Sequence, residues 1–288
     1  MGDWAEKTIR TATMVGGLVA IQDNKDVYST VEFHRWVGRN ELDPQERYLV
    51  GRYFQPSAKT LEAGTAGGRI LFALRELGFA DLHGFDYVPG FIEQARAADT
   101  EHSIHFEVLD ATKLAYPDSS FDQVIYLQQL LSCMDGDNAP ADACREAFRI
   151  LRPGGIALFS FLSFEVRRNS VYRFLIAYLR MLRWALRSRR SIQALPWMRM
   201  GDRFNWKAFI DKGPYVHWFT VSEAAGLLDA AGFRIQGMAT VPQIQQQRLC
   251  DTAPQLLKEP LDGAIYCVCA KPASPVGNER SGGGSSAP

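Results

Sequence analysis

The stretch Leu61-Glu62-Ala63-Gly64-Thr65-Ala66-Gly67-Gly68-Arg69 constrains this chain more than any other. A strand ending at Glu62 runs into a turn of small residues and straight into a helix that begins near Arg69. That arrangement leaves a crevice at the carboxyl end of the strand, and such crevices bind nucleotides. Gly64, Ala66 and Gly68 carry little or no side chain, so a ligand can approach the backbone closely. The glycines can also take the positive φ angles that a tight turn needs.

From Lys59 onward the pattern alternates. Strands are expected near 59–63, 82–86, 103–108, 122–127 and 156–161, with helices near 69–77, 90–98 and 141–151 between most of them. The alternation predicts an α/β fold, a parallel sheet with helices on both faces. Gly78 stands where a residue just past the first helix should, and Pro153-Gly154-Gly155 separates the third helix from the fifth strand. Residues 1–57 read as a helical N-terminal cap with Leu42, Tyr48, Leu49, Tyr53 and Phe54 as apolar anchors. Within it, Asp43-Pro44-Gln45-Glu46 has the spacing of a capping box. Tyr28, Phe33 and Trp36 are read as packing, with a ligand wall as the alternative. A later helix starts at Phe219-Thr220-Val221-Ser222-Glu223, followed by strands near 233–241 and 264–271. Residues 273–288, rich in Ser, Gly and Pro, read as a disordered tail.

Three acids decide between nucleotides. Glu62, Asp86 and Asp110 end the first three strands, so their carboxylates gather along one edge of the sheet. A carboxylate at the second strand end can accept hydrogen bonds from both ribose hydroxyls of an adenosine, and one at the third end can accept from an adenine amino group. Glu62 would lie nearest the positive part of a ligand. Asp86 alone also suits a dinucleotide, but the turn lacks the GxGxxG register, and an acid just before it would oppose a pyrophosphate. No Lys-Ser or Lys-Thr pair closes a P-loop. A cationic amino-acid conjugate of adenosine fits better.

These residues resemble, in order, the motifs of class I S-adenosylmethionine-dependent methyltransferases. Leu61 to Arg69 looks like the first motif, with Ala66 in place of the usual middle glycine, and His83-Gly84-Phe85-Asp86-Tyr87 resembles the second-strand motif with its ribose acid. Leu109-Asp110-Ala111 is similar to the adenine-contacting turn, Ser120 to Val124 to the entry to strand four, and Arg145 to Gly155 to the helix and turn before strand five. The resemblance covers roughly 59–162 and 216–272. It implies a Rossmann-like seven-stranded, mostly parallel sheet whose last strand is antiparallel, in a domain over 58–272. It also implies S-adenosyl-L-methionine as cofactor, held by Glu62, Gly64, Thr65, Ala66, Gly68, Asp86, Tyr87, Asp110, Ala111 and Gln128.

A helical insertion, 164–215, interrupts the rhythm after strand five. Eight arginines and no acid lie between Arg167 and Arg190. At about 100° per residue, Arg173, Arg180, Arg183, Arg187 and Arg190 share one stripe, opposite Phe174, Leu175, Tyr178, Leu179, Met181, Leu182, Ala185 and Leu186. One reading is a helix packed by its apolar face with solvated arginines outside. The others are a lid over an acidic or lipid-like substrate, a membrane-surface contact, or a homodimer contact.

Lys plus Arg and Asp plus Glu balance at 32 each, so no global field favours DNA or an anionic surface. Five cysteines without a CxxC pair argue for reduced thiols, and no HxxxH, HExxH or carboxylate cluster suggests a metal. With neither a leader-like start nor a long apolar run, a cytoplasmic protein is expected. His217, where the insertion rejoins the core, is the candidate general base, with a structural histidine at the seam as the alternative and His34 a weaker choice. The implied activity is methyl transfer to an O, N or C atom of a small natural-product or lipid-like acceptor, anionic if the arginines contact it. RNA modification and a non-catalytic cofactor-binding partner module are the alternatives.

Overall fold

The computed structural model describes residues 21–38 and 41–273; the expectations for residues 1–20 and for the tail beyond Ala273 lie outside the described residues. Helices α1 (Asn24–Ser29) and α2 (Pro44–Tyr53) precede the sheet. α2 starts where the capping pattern places it: Pro44 opens the helix and the Glu46 carboxylate accepts from the Asp43 N–H at 2.8 Å. Strands β1 (Thr60–Ala63), β2 (Leu82–Asp86), β3 (Ile104–Val108), β4 (Phe121–Tyr126) and β5 (Leu151–Phe161) alternate with α3 (Arg69–Glu76), α4 (Pro89–Ala98) and α5 (Ala139–Ile150).

The chain then leaves the sheet through α6 (Phe164–Asn169), α7 (Arg173–Ala185) and the short strands β6 (Ala194–Pro196), β7 (Arg199–Met200), β8 (Arg203–Phe204) and β9 (Tyr215–His217). It returns at Phe219, whose backbone bonds to Leu162 and Phe164 at 2.8 Å close the neck of this excursion. α8 (Val221–Ala230), β10 (Arg234–Ala239), α9 (Val241–Gln245), α10 (Ala253–Leu256) and β11 (Ile265–Ala270) complete the domain. Among the described residues no helix is long and apolar enough to cross a membrane.

The seven strands lie in the order β10-β11-β5-β4-β1-β2-β3, and only β11 runs antiparallel to its neighbours. Alternate side chains fill two cores. On one face Val124, Tyr126, Phe159 and Phe161 meet Cys144 and Ala147 of α5 and Ala224 and Leu228 of α8. On the other, Ile125 and Leu158 meet Leu49 and Val50 of α2 and Ile70 and Leu74 of α3. Cys267 and Cys269 sit together in the first core as thiols.

Two local expectations change. Pro153-Gly154-Gly155 does not separate α5 from β5 but lies inside the strand. A Cβ on Gly155 would meet the Asp122 carbonyl oxygen at 2.7 Å, so the glycine lets β5 run close to β4 across an irregular register. The expected single helix over 167–190 is two helices, broken near Ser170, whose hydroxyl accepts from the Tyr172 N–H, and ending at Ala185.

α7 is also rotated relative to the expected stripe. Arg183 faces inward, where it forks onto Asp211 at 2.6 and 2.8 Å and donates to the carbonyls of Ser191 and Ala194. Ile176 and Leu179 are buried beside it, whereas Phe174, Met181 and Trp184 point to solvent. The apolar arc of this helix is wider than the surface available to cover it, so one part is left outside.

Arg183→Ala strands a buried carboxylate, since both partners are under 10% exposed, and is expected to cost about 3–5 kcal/mol. The exposed Arg180→Gln should stay within about 0.5 kcal/mol of the parent. Urea unfolding of the two variants measures the difference.

Candidate active site

β1, β2 and β3 proceed to one side of the sheet while β4 and β5 lie on the other, so the strand order reverses between β1 and β4. At the carboxyl ends around this switch point lies a cavity of about 510 Å³, within the range of small-molecule sites. It is lined by nine of the ten residues expected to hold the cofactor: Glu62, Gly64, Thr65, Ala66, Asp86, Tyr87, Asp110, Ala111 and Gln128.

Gly68 is the exception. It starts α3 at φ +87°, and a Cβ there would meet the Phe72 ring at 2.8 Å and the Phe106 ring at 3.1 Å. Its missing side chain serves helix–strand packing, not ligand approach.

Asp86, 5% exposed, organises the turn. One carboxylate oxygen accepts from the Ala66 N–H at 3.0 Å and the other from the Val88 N–H at 2.9 Å. Burial pushes its pKa up to about 6, against the pull of these two bonds. The bond to Asp86 accompanies a left-handed backbone at Ala66, φ +46°. Gly64, at φ +66°, faces the Leu130 side chain. Gly67 accommodates the N-terminal segment, for a Cβ there would stand 2.9 Å from the Trp36 carbonyl oxygen.

Glu62 is likewise buried and accepts from the Thr65 hydroxyl at 2.7 Å; burial pushes its carboxyl up to about 8, with Thr65 and Arg69 opposing. Asp110 is exposed and accepts from both the N–H and the hydroxyl of Thr112 at 2.8 Å.

The side-chain contacts that brace the cavity carried no sequence signal. Arg69 forks onto Glu46 of α2 at 2.7 and 2.8 Å, and the Glu46 carboxylate also accepts from the Gln128 side chain. Gln128 and Gln129 both adopt left-handed backbones, φ +53° and +57°, which aims the chain after β4 along the cavity. Asn24, fully buried, donates to Asp135 and to the Tyr215 carbonyl and accepts from the Trp197 indole at 2.8 Å. Tyr28 and Trp36 do line the cavity, whereas Phe33 stacks on Phe91 at 4.8 Å. A buried asparagine looks like any other in a sequence; Asp135-Gly136-Asp137-Asn138 at least marks a loop.

The structure does not bring His217 to these residues. Its Nε2 lies 2.7 Å from a Glu223 carboxylate oxygen, its ring packs on Phe219, and it is not part of the cavity lining. The seam histidine is therefore the reading the geometry favours. His34 is exposed and also outside the lining.

The donor set suits a cationic adenosine conjugate. Glu62, Asp86, Asp110, Asp135, Asp137 and Asp142 all line the cavity, and the guanidinium among the described lining residues, Arg69, is already engaged by Glu46. Trp36 adds a buried indole N–H without an acceptor among the described residues. Replacing Ala66 by glycine removes a left-handed penalty of about 1–2 kcal/mol and adds about 0.5–1 kcal/mol of backbone entropy cost. Ala66→Gly is thus expected to raise stability by up to about 1.5 kcal/mol, as read by denaturant unfolding.

Comparison with known proteins agrees with this fold. Residues 61–159 match the family described as "Methyltransferase domain". The human methyltransferase-like protein 27 is 30% identical over 35% of this chain and 39% of its own. Phosphoethanolamine N-methyltransferase 1 of Arabidopsis thaliana is 30% identical over 46% of this chain and 27% of its own. The chain therefore spans well under half the length of these two relatives. A SAM-dependent methyltransferase structure from Methanosarcina mazei covers 81% of this chain and 100% of its own, with a TM-score of 0.59 at 20% identity, a likeness of fold. With the motif order, the seven-stranded sheet and the acid-lined crevice in agreement, residues 61–159 carry a match to a methyltransferase domain within a fold similar to that of S-adenosylmethionine-dependent methyltransferases.

Proposed function

We propose that this protein transfers a methyl group from S-adenosylmethionine to a small-molecule acceptor, with the nine lining residues holding the donor. The observation that carries this reading is the convergence of buried Glu62 and Asp86 with Asp110 on one cavity at the switch point. When bound, the donor supplies an electrophilic methyl on a sulfonium. Asp86 would accept from the ribose hydroxyls, Asp110 and Ala111 would border the adenine, and Glu62 would face the cationic amino-acid end.

The remaining work of the chain is positioning. An in-line displacement needs the acceptor atom held about 3 Å from the methyl along the right direction, and no covalent enzyme intermediate. We read the acceptor as neutral or cationic where it meets the donor. The sequence pointed to an anion through its arginines, but the described lining carries six carboxylates, and Arg173, Arg180 and Arg187 lie on the exterior. An amine, as in the name of the Arabidopsis relative, fits that field. An amine drawn in by that field as its ammonium form must give up a proton before its lone pair can attack. The insertion and the segment around Tyr28 and Trp36 would select among such acceptors.

Asp86→Ala should weaken binding of S-adenosylhomocysteine by about 1.5–3 kcal/mol, read by titration calorimetry; equal affinities would sink the assignment. A second expectation concerns protons. Glu62 holds one up to about pH 8 in the ligand-free fold, and a cation beside it favours the ionised form. Cofactor binding near pH 7 should therefore release a proton, and affinity should rise with pH until about 8. Titrations in buffers of different ionisation enthalpy measure that proton, and Glu62→Gln should abolish it.

A further inference from the structure

The insertion carries an apolar surface that the fold leaves in solvent. Val171 and Trp184 are 81% exposed, Trp206 75%, Phe174 69% and Met181 61%. At about 100° per residue, Phe174, Tyr178, Met181 and Trp184 form one stripe along α7, about opposite the buried Ile176, Leu179 and Arg183. The stripe continues into a neighbouring turn, Trp206–Ile210, because the Tyr178 hydroxyl donates to the Phe209 carbonyl at 2.8 Å. Phe204, Trp206 and Phe209 cluster there, with ring centroids 4.8 to 6.0 Å apart. The two parts are joined by the buried Arg183–Asp211 pair.

Charge says what covers it. The chain from Val166 to Gly201 holds nine arginines and no acid. Arg173, Arg180 and Arg187 flank the stripe on one side, all exposed and without an ion pair among the described residues. Arg203, Lys207 and Lys212, all exposed, lie within or next to the aromatic turn in sequence, and Asp202 is the exposed acid among residues 202–212. A two-fold contact between copies of this chain would set one basic rim against another. An anionic surface meets both basic groups favourably, and aromatic rings at the level of lipid headgroups beside basic side chains are the pattern of a helix lying in a membrane interface.

We propose that the outward face of α7 and the aromatic turn Trp206–Ile210 form a docking surface for an anionic lipid bilayer. The surface is separate from the cofactor crevice, so binding to it does not depend on the methyltransferase reading.

The test is co-sedimentation of the full chain with phosphatidylglycerol/phosphatidylcholine vesicles and with phosphatidylcholine alone. The wild type should bind the anionic vesicles at least tenfold more tightly, and salt should weaken that binding. Phe174→Ser/Met181→Ser/Trp184→Ser and, separately, Arg173→Gln/Arg180→Gln should each lower it at least tenfold with S-adenosylhomocysteine affinity unchanged, which excludes loss of fold. Absence of wild-type binding to anionic vesicles overturns the proposal. So does retention of binding by the triple variant, or a wild-type dimer in light scattering that the triple variant abolishes while vesicle binding persists.

Discussion

The Glu46 carboxylate, almost wholly buried, is the point at which three parts of the chain are fixed to one another. It caps the start of α2, forks with Arg69 at the first turn of α3, and receives the Gln128 side chain from the bend after β4. A buried ion pair gains little over a well-packed apolar contact, but with one partner missing it is strongly unfavourable. The value of this one is geometric. It ties the N-terminal segment to the helix that follows the glycine turn, and Gly67 supplies the close approach that the arrangement demands. The crevice is thus walled on one side by a segment that belongs to no strand of the sheet.

Within the crevice the acids are held in opposition to their solvation. Glu62 and Asp86 have lost most of their water, and the hydrogen bonds they accept from Thr65, Ala66 and Val88 restore only part of it. The ligand-free fold therefore stores unfavourable electrostatics at the places a cation and a pair of hydroxyls would relieve. Carboxyls perturbed by burial in a cleft cluster at functional sites. The same loss of water also explains why the turn tolerates a left-handed alanine: the N–H of Ala66 is one of the few donors Asp86 has.

How much of this could be read from residues alone follows the periodicity. Strands and helices of the sheet announce themselves by alternation and caps, and the acids at strand ends are fixed by that register, so Glu62, Asp86 and Asp110 could be brought to one edge on paper. Gly68 shows the limit. A glycine needed for packing against Phe72 and one needed for a ligand look the same in a motif. The insertion shows a second limit. A helical wheel gives the angle between the arginines and the apolar residues but not which side meets the protein, and Asp211, distant in sequence from Arg183, decides the rotation. His217 was placed near the pocket by its position at the neck, yet a carboxylate six residues on holds its ring elsewhere.

Asn24 has a wider consequence. Its side chain uses both amide hydrogens and its oxygen on three partners: the loop after β4, the β9 strand and the Trp197 indole. The N-terminal segment and the insertion are far apart in sequence, and nothing in the sequence ties one to the other. Here they share one fully satisfied residue. A recombinant that grafts the insertion from a relative without the matching first segment would bury an amide with nothing to bond. In this chain the two peripheral pieces are coupled through one side chain, so a change in either must keep the partner that the other supplies.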